Sequence, residues 1–270
     1  MNIGGVNAFN KISNDYNHTL QVIASGSKNP SAASGVSDYE IGKRMAVNIN
    51  SVAQANANTQ NTNAMLNVAS GAVNNTVEAL SSLRENLISA ANGTNGDFDR
   101  AALQKSVDQT ISQINENAGV TYNGKTLLDG SQSVGVAGPD GMAKNVTLGN
   151  MTAQGLGLAD GEGKSTIDLS SADGIAAALD TVDAALDSAL GQATSIGAAQ
   201  QGLGYQSANY ETEALQLTDA EGTNGSADIA KMAMQLRSED TQQQLAMFAV
   251  KAQMGMFANR NSVATLLGVQ

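Results

Sequence analysis

Cysteine is absent and histidine occurs once, at His18. Disulfide frameworks, thiol chemistry and the common zinc and Ser/His or Cys/His constellations therefore lack their parts. Tryptophan is missing, aromatics make up 3 % of the 270 residues, and the only prolines are Pro30 and Pro139. So few bulky rings cannot fill a thick core, but so few helix breakers leave very long stretches free to be helical. No run of 18 apolar residues exists, which excludes a helical membrane span. The start, Met1 to Asn10, has no basic region followed by an apolar run and does not read as a secretory signal peptide. Basic residues are scarce as well, 14 Lys and Arg against 25 Asp and Glu, a net charge of −11. With no basic patch to neutralise phosphates, nucleic-acid binding is excluded.

What the chain does contain is Ala, Asn, Gln, Ser and Gly, residues suited to long helices packed closely side by side. The charge is uneven: between Asp160 and Glu221 stand eleven of the acids and one base, Lys164. Asp180, Asp183 and Asp187 recur at helical spacing, but three carboxylates along one helix ordinarily form a solvated face. Gly202-Leu203-Gly204 lacks a preceding strand and a third glycine, so it is not a nucleotide loop. Glu211 and Glu213 sit two apart on a helix and point away from each other. Neither a catalytic constellation nor a cofactor site emerges, and the chain reads as a non-enzyme.

Helical periodicity dominates instead. Phe9, Ile12, Tyr16, Leu20 and Ile23 recur at spacings of three and four, as do Ile229, Met232 and Leu236, then Leu245, Phe248, Ala252 and Met256, with Val263, Leu266 and Leu267 at the end. Chain ends are normally polar and dispensable. Here they carry some of the greasiest periodic surface in the chain, and a lone helix of such length is marginal in water. The terminal stripes are therefore expected to pair with each other and with other molecules. Met232, Met234, Met247, Met254 and Met256 crowd the last 40 residues. Adaptable packing between helices is the ordinary reading, and binding of an export chaperone the sharper one.

Between the ends, a helix is predicted from about Val6 to Ala24, then a bend from Ser25 to Gly35. A second helix, capped by Ser37 or Asp38, runs to about Ala91, roughly 54 residues and about 80 Å. Its stripe reads Ile41, Met45, Ile49, Val52, an Asn/Gln/Ala-rich middle, then Leu66, Val73, Val77, Leu80, Leu83 and Leu87. A third helix spans about Arg100 to Asn117. From Val120 to Leu169 the helical period vanishes. Ser133–Val136 and Asn145–Leu148 read as strands around the Pro139-Asp140-Gly141 turn, with Thr166–Leu169 a further candidate strand. Helix resumes near Ala172, reaches about Leu217, and Asn224-Gly225 separates it from the last helix. The expected fold is mainly α, a long coiled-coil-like helix bundle with N- and C-terminal helices paired, plus a small β-hairpin element.

At this point several strings resemble bacterial flagellin. Ala90-Ala91-Asn92-Gly93-Thr94-Asn95, then Asp99, Leu103 and Gln104, then Tyr122-Asn123-Gly124 and Leu127-Leu128 follow the family's "AANGTN", helix, "FNG" and "LL" in order and spacing. Ile41, Arg44 and Met45 fit its "I-x-x-R-M", Leu156-Gly157-Leu158 its "LGL", Gly197-Ala198 with Gln200 its "GA-x-Q". Ala227-Asp228-Ile229-Ala230 resembles "ADMA", and Leu266-Leu267 the closing "LL". The likeness spans essentially the whole chain, strongest in the first half.

The resemblance implies a structural subunit of the swimming filament, without cofactor or membrane contact. It places 1–40 and 225–270 as inner-tube terminal helices, 41–132 and 170–224 as an outer-tube bundle, and 133–169 as a small β element with no projecting domain. It implies a homopolymer, met by the flagellar export apparatus, an export chaperone, hook-junction and cap proteins, in an extracellular flagellum reached without a cleaved signal peptide. The expected polymer contacts are Phe9, Ile12, Tyr16, Leu20, Ile23, Ile229, Met232, Leu236, Leu245, Phe248, Met256, Leu266 and Leu267. The rival readings are a hook–filament junction protein and a secreted coiled-coil effector.

There are departures. The family's acidic pair after "NSA" is Ser34-Gly35 here, and its terminal "QAN…P" string is replaced by Asn259-Arg260-Asn261. Where innate-receptor-active members carry "QRVRELAVQ", this chain reads Ser81 to Ser89. There Leu83, Arg84, Glu85 and Leu87 form the candidate receptor stretch, while Ser82 and Asn86 replace an Arg and a Leu. Weak contact with the Toll-like receptor for flagellin is expected.

Overall fold

The computed structural model describes the backbone of residues 4–141 and 143–266, and side-chain surroundings for 6–141 and 145–252. In chain order the elements are α1 (Gly4–Ser25), a 3-10 turn (Ala32–Ser34), α2 (Val36–Ala90), α3 (Asp97–Ala118), β1 (Thr121–Tyr122), β2 (Lys125–Thr126), β3 (Ser133–Ala137), β4 (Ala143–Thr147), α4 (Ala172–Gly225) and α5 (Ile229–Leu266). The protein is mainly α, with paired terminal helices, as its periodicity requires. Two compact units divide it: residues 1–49 with 215–270, and residues 50–214.

In the unit formed by residues 50–214, burial follows a seven-residue repeat. Val52, Ala55, Thr59, Thr62, Leu66, Ala69, Val73, Thr76, Leu80, Leu83, Leu87 and Ala90 are buried along α2 at alternating spacings of three and four. That is a coiled-coil seam, sustained by small residues through the stretch the sequence presents as an Asn/Gln/Ala-rich interruption. The threonines enter the seam because each hydroxyl donates back to its own helix: Thr59 to the Ala55 carbonyl at 2.9 Å, Thr62 to Asn58 at 3.0 Å, Thr76 to Ala72 at 3.0 Å. Val107, Ile111, Ile114 and Ala118 of α3 join this core, as do Ile175, Ala178, Val182, Ala185, Ala189, Ile196 and Leu203 of α4.

The segment from 120 to 171 closes one part of that core. β1 and β2 pair antiparallel around a two-residue Asn123-Gly124 turn, with Asn123 at φ 49°. An Asn-Gly step is the favoured centre of such a turn. β3 and β4 pair from Ser133↔Thr147 to Ala137↔Ala143. Between 149 and 169 the chain has little hydrogen-bond ladder of its own, and side-chain amides from the helices supply partners. Asn115 Oδ1 accepts from the Ala153 N–H at 2.8 Å, Gln192 Oε1 from Gly149 N–H at 3.1 Å. Gln104 both donates to the Ile167 carbonyl and accepts from the Leu169 N–H, each at 3.0 Å. Thr166–Leu169 is not the predicted strand: the Thr166 N–H donates to the Leu158 carbonyl at 3.0 Å, and Gln104 of α3 takes the Ile167 carbonyl and the Leu169 N–H. Leu148, Met151, Leu156, Leu158, Ile167 and Leu169 from this segment are buried against the helices.

Two helix starts differ from the expected ones. α2 begins at Val36, after the 3-10 turn, so Asp38 lies inside its first turn where the dipole favours an acid. α3 begins at Asp97, because the Asp99 carboxylate accepts from the Gly96 N–H at 3.1 Å and anchors the helix one turn earlier.

In the unit containing both termini, the Ala227 N–H donates to the Gly26 carbonyl at 2.9 Å and the Lys28 N–H to Gly225 at 2.8 Å. These bonds join the end of α1 to the start of α5, which makes the two helices antiparallel. Asp228 starts α5 by accepting from the Lys231 N–H at 3.0 Å, the role of an N-cap.

Replacing the fully buried Leu80 by Ala is expected to destabilise the 50–214 unit by about 2–5 kcal/mol in a denaturant titration followed by circular dichroism. Gly130 sits at φ +78° with Asn150 Cβ 2.8 Å from where its own Cβ would be. Gly130→Ala should cost about 1–3 kcal/mol in the same titration. A loss near zero for either would contradict the packing described.

Candidate assembly interface

The terminal pair buries little of its own stripe. On α1, Phe9, Ile12, Tyr16 and Ile23 are half-buried, Leu20 is exposed, and only Thr19 and Val22 are fully covered among the described residues. On α5 the covered positions are Met232, Leu236, Glu239, Gln243, Ala246 and Val250, at spacings of four, three, four, three and four. That heptad is the seam toward α1, and its most buried member is a carboxylate. Glu239 is 7 % exposed; one oxygen accepts from Gln235 Nε2 at 2.8 Å and the other has no partner.

The expected stripe of Leu245 and Phe248 is present on α5 but faces elsewhere. Leu245 is 63 % exposed and Phe248 73 %, with Met234, 67 % exposed, in line with them. At about 100° per residue, Met234, Leu245 and Phe248 fall within about 60° of one another and about 160° from the middle of the seam. Exposed Ala252 continues that row. Ile229 is exposed near the start of the helix. α5 thus has two faces, one against α1 and one apolar and uncovered. The expected contacts at Met256, Leu266 and Leu267 lie outside the residues whose side chains are described.

The candidate receptor stretch divides by helical position. Leu83 and Leu87 are fully buried in the α2 seam, whereas Arg84 and Glu85 are exposed. The Arg84 guanidinium donates to Asp183 on α4 at 2.6 Å, and this hydrogen bond, then the charge attraction, raises the pKa of Arg84. Asp168 is held below the ordinary carboxylate range by the backbone and hydroxyl of Ser170, which is turn chemistry rather than a reactive centre. Among the described residues no His, Asp and Glu side chains gather into a metal-binding group, and no helix is long and apolar enough to cross a membrane.

Sequence reasoning missed Glu239 and Gln243 as seam members because it followed apolar residues only. Continuing the three-four spacing from Met232 and Leu236 would have reached both. It also missed that Arg84 and Asp183, 99 positions apart, form a pair. No local pattern announces such a contact.

Comparison with known proteins agrees with this architecture. The family described as the bacterial flagellin N-terminal helical region matches residues 6–133. The flagellar filament 30.7 kDa core protein of Treponema maltophilum is 28 % identical over 233 residues, covering 78 % of this chain and 81 % of the relative. Flagellin FljO of Caulobacter vibrioides is 26 % identical over 260 residues, covering 95 % and 92 %. Among solved structures, a Vibrio parahaemolyticus protein described as flagellar hook-associated superposes with a TM-score of 0.59 at 18 % identity, covering 72 % of this chain and 100 % of that one, a likeness of fold alone. Helical ends with uncovered apolar faces, the Ala90–Gly130 strings and these relatives converge on the bacterial flagellins: the family's N-terminal helical region matches residues 6–133, and a flagellar filament core protein aligns with 78 % of the chain.

Proposed function

We propose that this subunit polymerises by docking the uncovered face of α5, together with the half-covered stripe of α1, onto further copies of itself. The observation that carries this reading is the row of Met234, Leu245 and Phe248 on the side of α5 away from α1. An apolar row of this kind on a soluble subunit marks an interaction surface. A contact between two different patches of identical chains does not close on itself unless rotation returns it, and otherwise propagates as a helical filament. Phe9, Ile12, Tyr16, Leu20, Ile23 and Ile229 extend this surface, while Met232 and Leu236 hold the seam between the two helices.

In the arrangement we propose, residues 1–40 and 225–270 line the filament interior, 41–132 and 170–224 form the surrounding layer, and 133–169 adds a small β element. Export through the flagellar apparatus with a chaperone on the methionine-rich C-terminal helix, and end contacts with hook-junction and cap proteins, belong to the same reading. The hook–filament junction alternative is not favoured, since named filament core proteins are among the relatives.

Leu245→Asp places a charge in the row and is expected to abolish filaments in electron micrographs while the circular dichroism melt of the 50–214 unit is unchanged. Filaments of normal length would refute the docking surface.

For the innate receptor we propose weak contact. Supporting it, Leu83 and Leu87 face inward and Arg84 is engaged by Asp183, which leaves Glu85 as the free charged group of the stretch. In a reporter-cell titration the subunit is expected to require at least about tenfold more protein than a strong flagellin agonist, a difference of about 1.4 kcal/mol. Equal potency would overturn this.

A further inference from the structure

Among the methionines whose surroundings are described, Met65 and Met151 are buried in the 50–214 unit, at 8 % and 4 % exposure, Met45 and Met232 are half-buried, and Met234 and Met247 on α5 stand open to solvent. Met234 lies in the uncovered apolar row with Leu245 and Phe248, and Met247 lies at the flank of the seam. A thioether is soft, apolar and oxidisable, and its susceptibility follows its access to the oxidant.

We propose that Met234, with the exposed Met247 farther along α5, makes the assembly competence of the free subunit sensitive to peroxide. In the step, the sulfur of Met234 attacks one oxygen of hydrogen peroxide. The S–O bond forms as the O–O bond breaks, sulfur is oxidised to the sulfoxide, and peroxide is reduced to water, which carries away both protons. The product is polar and strongly hydrogen-bond accepting, and it sits in a row that must become dry when a second copy covers it. Oxidation therefore blocks docking without touching the Leu-rich core, where Met65 and Met151 are shielded. Once the row is covered by another copy, the same sulfur is out of reach, so the filament resists the oxidant that disables its precursor. Because sulfoxides are reduced enzymatically, the block is reversible.

This inference rests on the proposed α5 docking face, and the experiment separates the two. Full-length subunit is treated with hydrogen peroxide, quenched with catalase, mapped by peptide mass spectrometry, and then seeded for polymerisation followed by sedimentation. Met234 and Met247 are expected to reach half-oxidation at least about threefold sooner than Met65 and Met151. Treated wild type should polymerise about tenfold more slowly, and Met234→Leu/Met247→Leu should keep most of its rate after the same treatment. Preformed filaments should show Met234 protected. Untreated Met234→Gln, a polar side chain of similar length, tests the face itself. If that variant polymerises normally, the docking face is wrong. If it is impaired but Met234 oxidises no faster than Met65, or the double Leu variant is as peroxide-sensitive as wild type, the oxidation inference alone is overturned.

Discussion

The structure depends on one constraint: an apolar helical stripe must be covered, and each stripe here is covered to a different degree. In the 50–214 unit, α2, α3, α4 and the 120–171 segment supply enough surface that Leu66, Leu80, Leu83 and Leu87 are fully buried. In the unit with the termini, which also holds the start of α2 and the end of α4, α1 and α5 pack on each other. Among the described residues that pairing covers one stripe of each helix, and only partly. α5 carries a second apolar row on its far side, which no arrangement of a two-helix pair can reach. The self-association we propose follows from counting faces rather than from any special residue.

The polar members of the seams refine that account. Along α2, threonine hydroxyls return to their own helix, so Thr59, Thr62 and Thr76 enter the seam with their hydroxyls paired. Along α5 the solution is less complete: Glu239 occupies a seam position with one oxygen unpaired. A buried carboxyl oxygen without a partner opposes closure of the pair, while a polar residue at a seam position penalises every other register. The terminal helices are therefore held in one alignment but not held strongly, a combination that suits segments whose final surroundings are provided by other molecules.

Much of this was legible in the sequence, for a definite reason. The helices, their order and the β3–β4 hairpin follow from spacing and from turn chemistry at Pro139-Asp140-Gly141, both local properties. The Asn/Gln/Ala-rich middle of α2 was opaque because its seam is built from Ala55, Thr59 and Thr62, residues that look like surface until their partners are known. The segment 149–169 was opaque for the complementary reason: its backbone is satisfied by Gln104, Asn115 and Gln192, and an amide on a helix gives no sign of the loop it will serve. The two faces of α5 were read as one, since Leu245 and Phe248 are the largest side chains there while the true seam runs through Glu239, Gln243 and Ala246.

That last difference decides what the ends are for. Had Leu245 and Phe248 faced α1, the pair would resemble a small self-sufficient hairpin, with polar residues outward and little left to offer a neighbour. Instead, beyond Met232 and Leu236, the seam runs through Glu239, Gln243 and Ala246 while Leu245 and Phe248 face outward, the reverse of what a solitary pair would select. A modest inner seam keeps the cost of opening the pair low, while the outer row keeps the gain on docking high. Under the docking we propose, the balance favours the assembled state only when copies are close enough to cover one another, and so ties the α1–α5 pair to the filament.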